Sequence, residues 1–260
     1  MIPKSRLWKQ IPQQAAGIIP SALRDCSTYK FQYTSFLKFE SHNKGFILSY
    51  SVKEIFYSIQ GEGFYSGRPA VFCRFAGCNL WSGKEIDRER AVCKFCDTDF
   101  VGCDGPEGGQ FSTSAELVRR IEKLWPKENV KSVKPLVVCT GGEPLLQLDI
   151  ELISALHEKG WEVAVETNGT LLPPPGIDWI CVSPKAGAKL LLSSGQELKL
   201  VFPQLGAEPE KYAMLDFQYF FLQPMDTPDS EVNMHLALEY VLSNPQWRLG
   251  LQTHKILGIK

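Results

Sequence analysis

The stretch that decides the fold is PLVVCTGGEPLLQLDIELISALHEKGWEVAVE, residues 135–166. Its apolar run Pro135–Cys139 predicts a buried strand, and Ile150–Lys159 has the apolar spacing of a helix that Gly160 ends. A second apolar run, Trp161–Glu166, predicts the next strand. A strand, a helix and a strand of these lengths form a βαβ unit, in which the two strands run parallel.

The same alternation extends to both sides of this unit. Ala70–Phe75 predicts an earlier strand, and Ser112–Leu124 predicts a helix with Ser114 as its cap. Later elements are strands at Trp179–Ser183, Glu197–Phe202 and Tyr219–Gln223 and a helix at Asn233–Ser243. This order predicts an α/β fold with a mostly parallel sheet, in which functional residues gather at the carboxyl ends of the strands.

The first part of the chain differs from the rest. Residues 1–48 lack periodicity, and the first 50 residues hold seven basic and two acidic side chains. We predict a poorly ordered extension of unknown role over 1–48, either a transit peptide or sequence added by an upstream start, and one domain over 49–260. From residue 51 onward, 21 basic and 27 acidic residues give a mildly acidic surface, which argues against nucleic-acid binding. No apolar run is long enough for a membrane helix.

Eight cysteines are present, and no secretory signal precedes them. A cytoplasmic location, with reduced thiols available for metal binding, is therefore expected. Cys73, Cys139 and Cys181 stand in apolar runs and are predicted to be core residues, and Cys103 is predicted to be incidental.

Cys78, Cys93 and Cys96 have the spacing C-x14-C-x2-C. One interpretation is structural zinc, with Cys73 or Cys103 as a fourth ligand. The other is a four-iron cluster with three protein ligands, whose open iron binds the amino and carboxylate groups of S-adenosylmethionine. Phe95, between the last two cysteines, would then lie beside the adenine.

The GGEP segment at 141–144 follows a predicted strand. Its glycines allow the backbone to approach a ligand closely, and Glu143 can accept a hydrogen bond from an ammonium group. Alone, the segment is more typical of an ordinary strand-to-helix turn. Its position one strand after the cysteines favours the S-adenosylmethionine interpretation.

Together these motifs resemble the 7-carboxy-7-deazaguanine synthase family of radical S-adenosylmethionine enzymes. The resemblance runs from about Tyr50 to Lys260 and leaves out residues 1–48. Most of that superfamily has C-x3-C-x2-C, so the longer spacing is a specific mark of one branch of this family. The segments that carry the resemblance are VKEIFYSIQGEGFYSGRPAVFCRFAGCNLWSGKE, CKFCDTDF, CTGGEPLLQLD, ETNGT, DWICVSPKA, LQPMD and WRLGLQTHK.

The resemblance implies a lyase of queuosine and deazapurine biosynthesis with a partial β/α barrel fold over 49–260. Such an enzyme converts 6-carboxy-5,6,7,8-tetrahydropterin to 7-carboxy-7-deazaguanine and ammonia by radical ring contraction. It needs a [4Fe-4S] cluster, regenerated S-adenosylmethionine, Mg²⁺ and an electron donor of the flavodoxin or ferredoxin type. It is a homodimer, and it uses neither a nucleic acid nor a membrane.

The resemblance also assigns residues by motif, and it names no firm catalytic residue. Cys78, Cys93 and Cys96 would hold the cluster, and Thr98 would bind Mg²⁺. S-adenosylmethionine would contact Phe95, Cys96, Asp97, Gly142, Ser183, Pro184, Lys185, Gln223, Pro224, Met225 and Asp226. The substrate would contact Ile59, Gln60, Gly61, Arg74 and Thr140, with Glu62, Glu166 and His254 as further candidates.

Several of these residues have simpler interpretations. Arg74 suits the substrate carboxylate because its planar fork can bind both oxygens, but it could lie on the surface. Thr98 could be a cap or turn residue, and His254 could be solvated. Glu166 could pair with Lys185.

One residue departs from the family pattern, and two other functions stay open. The last residue of the sequence is Lys260, where the family has proline. A glycyl-radical activating enzyme shares the cluster and GGEP features, although the long cysteine loop and the QGEG segment argue against it. A zinc-stabilised binding module is the alternative without catalysis.

Overall fold

The computed structural model describes residues 49–126 and 133–260, so the extension predicted over 1–48 lies outside the described residues. The strands are β1 (Tyr50–Ile59), β2 (Pro69–Phe75), β3 (Gly109–Phe111), β4 (Leu136–Gly141), β5 (Glu162–Thr167), β6 (Trp179–Val182), β7 (Ser194–Phe202), β8 (Asp216–Pro224) and β9 (Trp247–Leu249). The α-helices are α1 (Ser114–Leu124), α2 (Ile150–Glu158), α3 (Ser230–Ser243) and α4 (Thr253–Leu257). Short 3₁₀ helices span Glu85–Arg90, Pro144–Leu146 and Pro209–Lys211.

All the described strands belong to one mixed sheet with the order β3-β1-β2-β4-β5-β6-β7-β8-β9. β1 pairs antiparallel with β2 and β3, whereas β2 and β4 to β9 run parallel to one another. Within the described residues β3 and β9 are the two edges, so the sheet is open. The predicted α/β class with a mostly parallel sheet is therefore confirmed.

The two faces of the sheet have different neighbours because successive side chains of a strand point to opposite sides. One face packs against α1 and α2 and contains Cys73, Cys139 and Val165, all buried. The opposite face contains Phe72, Val138 and Ala164 of the same strands. The next residues along that face are polar, and they begin the site described below.

Most predicted elements are present with small shifts of their ends. One correction concerns α1, which begins at Ser114, two residues later than predicted. Its cap is Thr113, whose Oγ1 accepts a hydrogen bond from the Glu116 N–H at 3.2 Å. Thr113 caps the helix because it has extended backbone geometry, whereas Ser114 is already helical. Gly160 ends α2 as predicted, with a φ of 79° that favours glycine.

A second core lies farther along the sheet, where Leu198, Leu200 and Leu222 pack with Ala237 of α3 and Trp247 of β9. No helix within the described ranges is both long enough and apolar enough to span a membrane.

Candidate active site

A cavity of about 410 Å³ opens at the carboxyl ends of the parallel strands. It brings together every predicted site residue except Pro184, which is buried and does not line it. The predicted residues that line it are Ile59, Gln60, Gly61, Glu62, Arg74, Cys78, Cys93, Phe95, Cys96, Asp97, Thr98, Thr140, Gly142, Glu166, Ser183, Lys185, Gln223, Pro224, Met225, Asp226 and His254.

Strand register explains why polar residues that are far apart in sequence meet here. Arg74 of β2 lies opposite Glu54 of β1 and opposite Thr140 of β4. Thr140 donates from Oγ1 to Oε2 of Glu166, on β5, at 3.1 Å. Arg74, Thr140 and Glu166 form one row across the sheet. They lie on the same face as Phe72 and Val138, two residues farther along their strands. This row places a guanidinium group, a hydroxyl group and carboxylates on the floor of the cavity.

The three cysteines of the C-x14-C-x2-C motif all face this cavity. The loop between them is held by Arg88, whose guanidinium donates to the carbonyl oxygens of Lys94 at 2.8 Å and Cys96 at 3.1 Å. The same guanidinium lies over the Trp81 ring, 4.1 Å from its centroid. The sequence interpretation missed Arg88, although a charged residue inside a ligand loop is a signal for such bracing.

The surroundings of these thiols fit an iron–sulfur cluster. Cys78 Sγ accepts a hydrogen bond from the Leu80 N–H at 3.4 Å, and such bonds tune cluster sulfurs. A hydrogen bond from Cys93 lowers the pKa of the Cys96 thiol and raises that of Cys93, so Cys96 is the first of the two to become the thiolate that binds iron. Of the described cysteines, only these three line the cavity, and one iron would keep an open position.

The zinc interpretation requires ligands that converge on a single ion. Within residues 49–126 and 133–260, no three His, Cys, Asp or Glu side chains are close enough to hold one metal ion. The other cysteines in this part of the chain do not join the motif. Cys73, Cys139 and Cys181 are buried in strands as predicted, and Cys103 does not line the cavity.

Gly142 of GGEP allows this turn to pack closely against another segment of the protein. A Cβ on Gly142 would lie 2.0 Å from the Gly77 carbonyl oxygen and 2.9 Å from Cys78 Cβ. The following N–H, of Glu143, donates to the same carbonyl oxygen at 2.9 Å. The GGEP turn therefore packs against the backbone that presents the first cysteine, and a larger residue at 142 would displace it.

Glu143 differs from its expected role as an acceptor for an ammonium group. Its side chain is fully buried and accepts from Thr167 Oγ1 at 2.7 Å, from the Asn168 N–H at 2.8 Å and from the Leu145 N–H at 3.0 Å. It does not line the cavity. Because its donors come from both segments, its carboxylate joins the turn after β4 to the end of β5.

Ser183 and Lys185 lie together at the end of β6. Lys185 Nζ donates to Ser183 Oγ at 2.6 Å and to its carbonyl oxygen at 2.8 Å. The same ammonium is 5.9 Å from the centroid of the Phe95 ring. Burial lowers the pKa of Lys185. The suggested pair between Glu166 and Lys185 is absent from the structure, because Glu166 bonds to Lys199 instead.

Lys199 is the main site residue that the sequence interpretation missed. It lies on β7 with its ammonium between Glu62 and Glu166, and the distance to Glu166 Oε1 is 3.2 Å. Glu62 also accepts from Gln223 Nε2 at 3.1 Å and from Gln252 Nε2 at 2.9 Å. A lysine inside the apolar strand ELKLVF was the available signal, since charged residues are rarely buried unless paired.

The last helix closes one side of the cavity. The Thr253 N–H donates to the Gly61 carbonyl oxygen at 2.9 Å, and His254 packs so closely on Gly61 that a Cβ there would lie 2.2 Å from Nδ1. Lys255 pairs with Asp97 at 2.6 Å and with Asp226 at 2.5 Å. α4 therefore connects the cysteine loop to the end of β8.

Comparisons with known proteins agree with this geometry. The chain is 60% identical over 215 residues to the 7-carboxy-7-deazaguanine synthase of Caulobacter vibrioides, covering 82% of this chain and 100% of that protein. It is 57% identical over 213 residues to the 7-carboxy-7-deazaguanine synthase of Bradyrhizobium diazoefficiens, with the same coverage of 82% and 100%. No family model matches the chain.

A solved structure shares the fold. The crystal structure of QueE from Escherichia coli matches with a TM-score of 0.59 and 27% identity, covering 79% of this chain and 95% of that one. The identities and coverage of the two relatives favour the synthase interpretation over the activating-enzyme and zinc-module alternatives. The chain belongs to the 7-carboxy-7-deazaguanine synthase family.

Proposed function

We propose that this chain converts 6-carboxy-5,6,7,8-tetrahydropterin to 7-carboxy-7-deazaguanine and ammonia, a step of queuosine and deazapurine biosynthesis. The observation that carries the proposal is that Cys78, Cys93 and Cys96 share one cavity with Arg74 and with the carboxylates of Glu62 and Glu166. The three thiols suit an iron–sulfur cluster. Arg74 and the two carboxylates suit a small acid with several N–H groups.

Cys78, Cys93 and Cys96 would hold a [4Fe-4S] cluster, with S-adenosylmethionine on its open iron. When bound, these groups would supply the one-electron bond cleavage that starts the ring contraction. The wall formed by Phe95, Ser183–Lys185 and Gln223–Asp226 would orient S-adenosylmethionine, with Asp97 and Gly142 beside it. Lys185 would place positive charge beside the cluster thiolates.

Arg74 would bind the carboxylate of the substrate through the two terminal nitrogens that its bond to Glu54 leaves free. Glu62 and Glu166 would accept from the N–H groups of the pterin ring, and Thr140 and His254 would line the same pocket. Ile59–Gly61 would contribute backbone contacts from the end of β1. These contacts would exclude water and hold the ring in one orientation.

We also propose Mg²⁺ at Thr98. Thr98 lines the cavity, as do Asp97 and Asp99, its neighbours in the sequence. Magnesium keeps several waters and takes few protein ligands, which suits such a position beside a substrate carboxylate.

The remaining expectations from the family are proposals of the same kind. They are a partial β/α barrel, built from the parallel run of β2 and β4 to β9, and a homodimer in the cytoplasm. An electron donor of the flavodoxin or ferredoxin type would reduce the cluster. Light scattering of the purified protein tests the dimer.

The test of the function is anaerobic reconstitution with iron and sulfide, followed by incubation with S-adenosylmethionine, a reductant and the carboxy-tetrahydropterin. We expect about four irons per chain and formation of 7-carboxy-7-deazaguanine. Cys78→Ser should lose iron and product, whereas the matched variant Cys103→Ser, outside the cavity, should keep both. Cleavage of S-adenosylmethionine without deazaguanine would favour an activating enzyme, and zinc binding without iron uptake would favour a binding module.

A further inference from the structure

One buried cation occupies the floor of the active-site cavity. Lys199 lies on β7 between the fully buried Leu198 and Leu200, and its own side chain is only 8% exposed. An ammonium group in such surroundings is strongly unfavourable unless it is paired and hydrogen-bonded. The identity of its partners therefore decides what this lysine does.

Both charged partners of Lys199 are carboxylates that face the same cavity. Nζ donates to Oε2 of Glu62 in a short hydrogen bond and to Oε1 of Glu166 at 3.2 Å. Their sequence separations from Lys199 are 137 and 33 residues, so the fold alone brings the three together.

The other donors to these two carboxylates are neutral. Gln223 and Gln252 donate to Oε1 of Glu62, and Gln60 and Thr140 donate to the oxygens of Glu166. Among the described residues, Lys199 is therefore the one cation in ion-pair contact with either carboxylate. The three side chains together carry a formal charge of −1.

Other titratable groups surround the three side chains and do not replace this cation. Glu197 lies two residues earlier on β7 and accepts from the Phe64 N–H at 3.2 Å. Cys181 lies beside Glu197 on β6. Lys185 bonds to Ser183, and His254 of α4 makes no ion pair with either carboxylate in the described part of the chain.

The charges hold each other in the ionised form. Burial alone would raise the pKa of Glu62, but the charge and hydrogen bond of Lys199 lower it to about 2. Burial alone would lower the pKa of Lys199, but Glu166 and Glu62 raise it well above its usual value. Without the ammonium, these two neighbouring, partly buried carboxylates repel, which favours uptake of one proton by the pair. That proton would turn an acceptor into a donor.

We propose that Lys199 is a positioning residue that keeps Glu62 and Glu166 both ionised, so that these two side chains offer only acceptors to the N–H edge of the substrate. The proposal rests on the proposed function, because the pterin ring presents an amino group and ring N–H groups as donors. It assigns to Lys199 no contact with the reacting atoms.

The test compares Lys199→Met with the double variant Lys199→Met/Glu62→Gln. Carboxy-tetrahydropterin binding is measured anaerobically on the cluster-loaded enzyme with S-adenosylmethionine and without reductant, from about pH 6 to 9. Wild type and the surface control Lys211→Met should show a Kd that stays constant within about twofold. Lys199→Met should raise the Kd about tenfold or more near the acid end and recover as the pH rises, because the extra proton leaves.

The double variant removes the like-charged neighbour, so its Kd should again be independent of pH. Lys199→Arg, which keeps the charge, should also show a flat profile. A Kd for Lys199→Met that is unchanged, or that is raised equally at every pH, would overturn the proposal. Loss of a lysine with a purely structural role would make substrate binding no more dependent on pH. Should Lys199→Met not fold, recovery of folding in the double variant supports the proposal, and an unfolded double variant contradicts it.

A measurement without substrate separates this proposal from the proposed function. Infrared difference spectra of the ligand-free protein should show an additional protonated carboxyl band in Lys199→Met, relative to wild type and to the double variant. Wild type that makes no deazaguanine would reject the function but leave this result valid. Wild type that is active, with no new band in Lys199→Met, would reject the role of Lys199 alone.

Discussion

Arg74 donates from Nε to Oε1 of Glu54 at 3.0 Å, across the antiparallel pair of β1 and β2. Glu54 is also held by Lys260 Nζ at 2.6 Å, so it is fixed from both sides. The terminal nitrogens of Arg74 have no hydrogen-bond partner among the described residues, although the side chain lines the cavity. A guanidinium group held in this orientation can bind a carboxylate through two parallel hydrogen bonds.

Arg74→Lys should therefore weaken carboxy-tetrahydropterin binding about tenfold to a hundredfold, because a lysine cannot reproduce both bonds. Iron content should stay at the wild-type value. Anaerobic titration of the substrate measures the change, with Arg120→Lys, a surface ion pair of Glu107, as the matched control. Equal affinities for Arg74→Lys and wild type would remove Arg74 from the substrate site.

Gly142→Ala should lower the iron content of the reconstituted protein to less than about half, since the new Cβ must displace the Gly77 carbonyl or Cys78. Iron and sulfide analysis measures it. Gly160→Ala is the control, because it adds only backbone strain of about 1 kcal/mol at a position with open space. If both variants hold the same iron, the contact between GGEP and the cysteine loop does not matter for the cluster.

Lys255→Met should loosen α4, because it removes the two ion pairs that connect this helix to Asp97 and Asp226. Exposed ion pairs contribute little, so the free energy of unfolding should fall by less than about 1 kcal/mol. Amide hydrogen exchange at 253–257 should be faster, whereas exchange in α2 stays unchanged. Lys211→Met, which removes a surface pair with Glu208, should leave both regions unchanged.

Glu162 should give part of the acid sensitivity of the fold. Burial alone would raise its pKa, but hydrogen bonds from Arg68 and Tyr65 outweigh this and hold the pKa below the usual value of 4.5. Because the folded pKa is depressed, the stabilisation is present above pH 4.5 and is lost as the pH falls through the folded pKa. Denaturant unfolding of wild type and Glu162→Gln should differ most near neutrality and converge in acid. A constant difference at every pH would contradict this assignment.

Much of the fold follows from the sequence because buried parallel strands are nearly continuous apolar runs. The runs at 70–75, 135–139 and 161–166 each became a strand within two residues of the prediction. β1 was missed because its sequence, YSVKEIFYSI, mixes charged and aromatic residues. This mixture is typical of a strand that has one face at the site. β3 and β9, of three residues each, and the five-residue α4 are too short to produce a periodic signal.

Site residues that belong to a sequence motif could be predicted. Site residues that only the fold brings together could not. The cysteines, GGEP and SPK are local patterns, and each contributes residues to one cavity. Lys199 and Glu54 belong to no such pattern, since their roles depend on partners across the sheet. Glu143 was assigned to a ligand because the sequence does not show that Thr167 and Asn168 reach its carboxylate first.

The stoichiometry of the reconstituted reaction tests the proposed ring contraction most directly. Carboxy-tetrahydropterin is supplied in excess over S-adenosylmethionine under a reductant, and deazaguanine, ammonia and remaining S-adenosylmethionine are measured together. We predict equal amounts of 7-carboxy-7-deazaguanine and ammonia, both exceeding the S-adenosylmethionine consumed. Consumption of S-adenosylmethionine with no deazaguanine and no ammonia would contradict it.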